Sequence, residues 1–192
     1  MKPLLFLCIN IACTLLSTAQ QISGNWNAEP TTINWQGKAA VGGYAPEGTL
    51  QMDNGSLIIS ENTIQSLELT IDMTSLSQEN QQLSKHLKEE DFFHTSVYPT
   101  ATFILSEVTA LDDSRVELTG TMTIKGIERD ETIAAAVETN DDQIIITFRH
   151  RMDRTHYNVV YNSPSVFKRI KENAIADEFE IWGSISFEKQ RQ

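Results

Sequence analysis

RVELTGTMTIK, residues 115–125, alternates along its length: Val116, Leu118, Met122 and Ile124 take every second position, and Arg115, Glu117, Thr119, Thr121, Thr123 and Lys125 lie between them. Successive side chains of a β-strand point to opposite faces, so this run has one dry face and one wet face. The same rhythm recurs at Leu67, Leu69, Ile71 and Met73, at Ile144, Ile146 and Phe148, and at Phe179, Ile181, Ile185 and Phe187. Asp53-Asn54-Gly55 reads as a tight hairpin turn, whose central positions need positive φ, and Asp112-Asp113-Ser114 and Asn140-Asp141-Asp142 as weaker turns. The pattern predicts roughly eight to ten strands, mostly antiparallel, because no alternating helical pattern supplies parallel crossovers. Two short helices interrupt them. One runs from about Gln78 to Glu89 with Leu83 and Leu87 on one face, and the other from Ser163, with Pro164 in the first helical position, to about Lys171. Periodicity leaves a sandwich and a closed barrel both open, although closure removes exposed edges. A barrel of about eight strands is either filled by side chains or wide enough for one small ligand.

The first residues stand apart from this pattern. Lys2 precedes an apolar run from Leu4 to Leu16 and then Ser17-Thr18-Ala19, which reads as a secretory signal peptide over 1–19, leaving a mature domain over 20–192. The run falls short of the roughly 20 apolar residues that cross a bilayer, so no integral membrane segment is expected in the mature chain. Cys13 after Ile11-Ala12 suggests a lipoprotein signal, but Asn10 stands where an apolar residue is wanted and the apolar run continues past the cysteine. Both cysteines, Cys8 and Cys13, fall inside the leader, which removes disulfides, thiol nucleophiles and thiolate metal sites from the mature protein. About 170 residues suit one domain that is stable without staples. A formal charge of -11 argues against nucleic acid and anionic membrane surfaces as primary partners.

Catalytic signatures are sparse. His150, Asp153 and His156 are the nearest approach to a metal site, yet no histidine pair has ligand spacing and no cysteine strengthens it; a surface or hydrogen-bonded role accounts for them. No G-x-S-x-G is present, and Gly42-Gly43 and Gly120 lack the context of a phosphate-cradling loop. Hence no catalytic residue, metal or cofactor is expected. One feature runs against the acidic balance: Arg149, Arg151, Arg154, Lys168, Arg169 and Lys171 face only Asp153 over 149–171, a net of +5 that leaves the remainder at -16 against the total of -11. Arginine forks there suit an anionic head group; alternatively, Asp153 and Arg154 fix a turn and the later cations complement a helix C-terminus.

Ordered blocks along the chain resemble the YceI-like family. They are Asn34-Trp35-Gln36-Gly37-Lys38 with Gly42-Gly43 and Gly48-Thr49-Leu50; Ile71 through Leu76; His86-Leu87-Lys88 with Asp91-Phe92-Phe93; Tyr98 through Phe103; Gly120 through Ile127; and Asp153-Arg154-Thr155 with Tyr157-Asn158 and Tyr161-Asn162-Ser163. The resemblance covers nearly all of the mature chain. It implies an all-β, lipocalin-like, extended antiparallel β-barrel of about eight strands whose tunnel holds a long amphiphile such as a polyisoprenoid, an isoprenoid quinone or a fatty-acid derivative, in a periplasmic or secreted bacterial protein. Tunnel walls are then expected from Ile33, Trp35, Leu69, Ile71, Phe103, Met122, Ile146, Phe148, Phe179 and Ile181, positions that ordinary core packing explains equally well. Phe92, Phe93 and Tyr98, which follow the first helix, are candidates to gate one end, and Arg149, Arg151, Arg154 and Tyr157 to form the head-group rim. The sequence departs from the family pattern at Tyr44-Ala45-Pro46, where a histidine is frequent, and at His156-Tyr157, where a tryptophan is. The alternatives are an exported enzyme that modifies such a lipid and a filled barrel that binds proteins. A homodimer is left open, since no exposed apolar run marks a surface for one.

Overall fold

The computed structural model describes residues 24–111, 114–140, 142–168 and 173–189. The leader, Asp112-Asp113, Asp141 and residues 169–172, which carry parts of the turn, helix and basic-segment expectations, lie outside them. In chain order the elements are β1 (Gly24–Ala28), β2 (Thr32–Gln36), β3 (Glu47–Ser60), β4 (Thr63–Gln78), α1 (Gln81–Lys88), β5 (Thr100–Leu105), β6 (Thr109–Ala110), β7 (Arg115–Ile124), β8 (Ile127–Thr139), β9 (Gln143–Asp153), a 3-10 turn (Arg154–Tyr157) and β10 (Glu178–Lys189).

All ten strands form one antiparallel sheet, in the order β1-β3-β2-β10-β9-β8-β7-β5-β4-β6, and the pairing of β3 with β4 closes it on itself. Two positions in the ring are shared. β1 and β2 both lie between β3 and β10, at different heights, and β6 continues the line of β5 along β4. The ten segments therefore make a closed barrel of eight strand positions.

The Asp53-Asn54-Gly55 turn expected from the sequence is not a turn. β3 runs straight through it, and the register slips between Met52 and Asn54, so this stretch is a bulge. Its effect is a change of phase: Leu50 and Met52 are buried above it, Gly55, Leu57 and Ile59 below it. Gly55 is required there because a Cβ would lie 2.7 Å from the Ala28 Cβ and 3.1 Å from Leu69. The hairpin instead turns at Glu61-Asn62, with φ of 50° and 58°, and a second such turn joins β7 to β8 at Lys125-Gly126, with φ of 52° and 71°.

The second expected helix is also absent among the described residues. Ser163 starts a turn, its hydroxyl accepting from the Val166 N–H at 3.3 Å and its carbonyl from the Phe167 N–H at 2.9 Å, and no helix continues through Lys168. The first helix forms as α1. The Asn80 side chain caps it by accepting from the Gln82 and Leu83 amides, and Lys85, His86 and Lys88 occupy its last turn, where cations meet the negative end of the helix dipole.

The two ends of the barrel differ. At one, short turns close a filled interior in which Trp26, Leu57, Ile64, Leu67, Ile144, Ile185 and Phe187 are each at most 1% exposed. Burying each aliphatic or aromatic side chain contributes about 1.5–3 kcal/mol. At the other end the connections are long: 37–46, 79–99 and 154–177. Midway, the Phe103 ring covers Gly120, where a Cβ would approach it to 2.7 Å and also press on the Ile104 carbonyl. Gly120→Ala is expected to cost about 1–3 kcal/mol by overpacking, read as a lower urea midpoint with unchanged slope. Gly37→Ala, with nothing within 4 Å, leaves that midpoint undiminished.

Candidate functional site

Beneath the long connections lies a cavity of about 180 Å³, counted as room for the centre of a water-sized sphere. One water needs about 10–15 Å³ on that measure and two to four polar partners. The room is ample but the partners are missing. The wall is aliphatic and aromatic, and among the described residues the only charged ones that reach it are Lys38, Arg154 and Glu178. A smaller chamber of about 40 Å³, lined by residues such as Leu69, Phe103, Ile146 and Phe148, lies deeper in the barrel. Ile33, Ile71, Met122 and Ile181, from β2, β4, β7 and β10, line both chambers and form a waist between them.

Local irregularities shape the upper chamber. The Asp72 carboxylate accepts from the Thr74 amide at 2.8 Å and the Thr74 hydroxyl at 2.6 Å, while the Ser75 hydroxyl donates to the Asp72 carbonyl and accepts from the Gln51 amide at 2.7 Å. These bonds replace the ladder where the register of β4 against β3 jumps from Asp72 to Ser77. Met73 and Leu76 on either side of the kink both line the cavity, as do Leu83 and Leu87 of α1.

The connections above the cavity are tied to one another. Ala39 bridges to Ile175, the Ala40 amide donates to the Ala174 carbonyl and the Ala176 amide to the Lys38 carbonyl. His86, Phe92 and Tyr161 meet with ring centroids 4.9–5.1 Å apart. The Lys125 ammonium donates to the Glu90 carbonyl at 2.9 Å; burial holds its pKa below the usual lysine range, against the pull of Glu90 and Asp91.

Arg154 holds the longest connection in place. It is 5% exposed, and its guanidinium donates to the carbonyls of Ala176 at 3.0 Å, Val159 at 2.6 Å and Ile175 at 2.9 Å, with Asp177 at 3.6 Å. Burial lowers its pKa and the carboxylates of Asp177 and Asp153 oppose that shift. The Asp153 side chain caps the 3-10 turn by accepting from the Thr155 amide at 2.8 Å and hydroxyl at 2.6 Å.

The residues expected in the tunnel come together. Ile33, Trp35, Ile71, Phe92, Phe93, Met122, Phe179 and Ile181 line the upper chamber, and Leu69, Phe103, Ile146 and Phe148 the lower. The residues expected at the rim do not. Arg149 and Arg151 point out of the barrel, because Ile144, Ile146 and Met152 of the opposite parity point in. Arg149 pairs with Glu180 at 2.7 Å and lies over the Trp182 ring at 4.8 Å, while Arg151 reaches Glu180 at 3.7 Å and Glu178 at 4.0 Å. Tyr157 is fully buried and off the cavity wall. Its hydroxyl donates to Glu131 at 2.8 Å, and burial together with that carboxylate pushes the phenol above its ordinary range. Of the four expected at the rim, only Arg154 reaches the cavity, with each of its three nitrogens donating to a main-chain carbonyl. Tyr98 packs beside Gly126, where a Cβ would lie 2.9 Å from its ring, and lines a separate polar surface groove.

The histidines also stand off the cavity. His150 meets Glu131 at 3.0 Å, and His156, largely exposed, lies 3.9 Å from Asp153. No group of three His, Cys, Asp or Glu side chains among the described residues could hold a metal, and no helix among them is long and apolar enough to cross a membrane. The sequence pattern missed the linings from the connections, such as Lys38, Tyr44, Val159 and Ile175, which carry no periodicity. It also missed Met152, which shares the parity of Ile144 and Ile146.

Comparison with known proteins agrees with this architecture. The YceI-like domain matches residues 25–187. Protein YceI of Escherichia coli O157:H7 is 30% identical over 90 residues, 46% of this chain and 47% of the relative, so the match spans about half the length of that protein. Two solved structures share the fold: a polyisoprenoid binding domain from Saccharophagus degradans, with a TM-score of 0.64 at 14% identity over 88% of this chain and 100% of that one, and BcnA of Burkholderia cenocepacia, with 0.59 at 17% over 81% and 95%.

Replacing Arg154 by Met leaves three carbonyls and Asp177 without their partner, an expected loss of about 3–5 kcal/mol. In calorimetry the midpoint falls by on the order of 10 °C for a chain of this size. Arg154→Lys recovers little of this, because one ammonium cannot reproduce the fork.

Proposed function

The chain belongs to the YceI-like family, and from that membership we propose that it is an exported, non-enzymatic carrier that holds one long-chain amphiphile in its two chambers. The observation that supports this most directly is the dry cavity, walled by apolar side chains, closed at one end by a packed core and roofed at the other by tied connections. The ligand class is a polyisoprenoid, an isoprenoid quinone or a fatty-acid derivative. In this reading residues 1–19 are a leader removed on export, the carrier is the domain over 20–192, and the protein works in the periplasm or outside a bacterial cell.

Energetics favour such a role. Each five-carbon isoprene unit gains on the order of 4 kcal/mol gross when buried, at ~0.8 kcal/mol per carbon group. Three or four units then exceed the roughly 8 kcal/mol of a micromolar complex after several kcal/mol of lost ligand freedom. A lipid-modifying enzyme would need an acid, base or metal at the reacting bond, and His150 and His156 lie off the cavity wall.

Native mass spectrometry of the mature protein from its own secretory compartment, followed by organic extraction, tests the reading. A stoichiometric long-chain amphiphile supports it; a clean apo mass that persists after incubation with polyprenyl, quinone and acyl ligands overturns it. The waist gives a sharper expectation. Met122→Trp fills the passage between the chambers, so chains long enough to pass it lose about fourfold in affinity for each excluded CH2, at ~0.8 kcal/mol, while shorter chains bind as before. An identical chain-length profile in a titration of homologous ligands would show that the lower chamber is not used.

A further inference from the structure

Three of the described residues that line the upper chamber are also exposed: Lys38, Tyr44 and Glu178. They mark its mouth, where the 37–46 connection meets the start of β10. Gly42 and Gly43, with φ of 90° and 76°, turn that connection back so that the Tyr44 carbonyl accepts from the Ala39 amide at 2.7 Å. The bond from the Ala176 amide to the Lys38 carbonyl sets Lys38 beside the segment that leads into Glu178. Below the mouth the wall is apolar and each Arg154 nitrogen donates to a main-chain carbonyl, so an amphiphile with its tail in the chamber carries its head at the mouth. The charges around this opening are mostly paired. Glu178 lies 4.0 Å from Arg151, Lys85 lies 3.8 Å from Glu89, and Lys88 and Lys125 donate to the carbonyls of Thr74 and Glu90. Glu47, which follows Pro46 of the lining, does not itself line the chamber. Among the described residues the Lys38 ammonium has neither a hydrogen bond nor an ion pair.

We propose that Lys38 is the electrostatic anchor of the mouth and pairs with an anionic head, a carboxylate or a phosphate, on the bound amphiphile. A lysine at the lip of an apolar cavity lays its stem along the wall and keeps its ammonium in water, which is where the head of such a ligand emerges. This rests on the carrier reading and narrows its ligand class to chains with a negatively charged head. An overall charge of -11 disfavours an anion over most of the surface; the uncompensated cation at the opening gives the head one favoured place and sends the tail inward, past Ile33, Ile71, Met122 and Ile181.

The test uses three probes with the same tail, hexadecanoate, hexadecyl phosphate and 1-hexadecanol, delivered from cyclodextrin to the delipidated mature protein. Lys38→Met keeps an unbranched stem on the lining and removes the charge. It is expected to weaken the anionic probes by about two- to fivefold, the size of one exposed ion pair, and to leave the alcohol unchanged. Lys38→Glu replaces attraction by repulsion and weakens them by about tenfold. In the wild-type protein, added salt weakens the anionic probes relative to the alcohol, and in Lys38→Met it does not. A loss confined to one of the two anions supports the anchor and identifies the head. Equal weakening of all three probes by Lys38→Met, or no weakening of either anion, overturns the anchor and leaves the carrier reading standing. If none of the probes binds the wild-type protein, the carrier reading falls and the anchor with it.

Discussion

Everything in this molecule depends on the ladder between β3 and β4. These are the longest strands, 14 and 16 residues, and their pairing is the one that turns a sheet with two free edges into a ring. An antiparallel sheet closed in this way leaves no unpaired edge to recruit another chain, and it fixes which side of every strand faces inward. Strands this long do not keep one phase from end to end. The ladder absorbs the mismatch in three slips, at Thr49/Gln51, Met52/Asn54 and Ile58/Ile59. Each slip resets which residues look into the barrel, so the interior stays apolar along its whole height although neither strand alternates perfectly.

That constraint also explains what the sequence disclosed. Where a strand keeps phase, as in β7 and β10 and in the middle of β4, alternation alone gives the inward face, and the tunnel residues drawn from these runs all line the chambers. Where phase breaks, composition misleads. Asp-Asn-Gly is chemistry shared by tight turns and bulges, since both need residues that tolerate unusual backbone angles. Glu61-Asn62, which does turn, has only half of that signature. Ser163-Pro164 resembles a helix start, and one turn does form there, but Val166 and Phe167 stay about half exposed instead of packing on the barrel. The outward direction of Arg149 and Arg151 was already implied by Ile144, Ile146 and Phe148; positive charge drew attention where parity was the better guide.

Arg154 is a different case, because its type was informative and its role was not. A guanidinium that reaches an apolar cavity suggests an anion, yet each of its three nitrogens donates to a main-chain carbonyl. The described residues of the 154–177 connection form turns, as from Thr155 to Asn158 and from Ser163 to Phe167, and the guanidinium beneath them serves the carbonyls of Val159, Ile175 and Ala176.

The bulge at Asp53 lies between two regions of contrasting character. Below it Leu57, Ile64, Leu67, Ile144, Ile185 and Phe187, each exposed by at most 1%, pack closely around the small lower chamber; above it the wall encloses the larger one. Fewer side chains meet across the wider half, which is braced by the closely packed half and by the ties across its roof. The protein is thus divided into a foundation and a vestibule. Substitutions in the vestibule can reshape what it accommodates while the foundation retains the margin of stability that such changes consume, which is how one barrel can diversify its contents across a lineage without losing its shape.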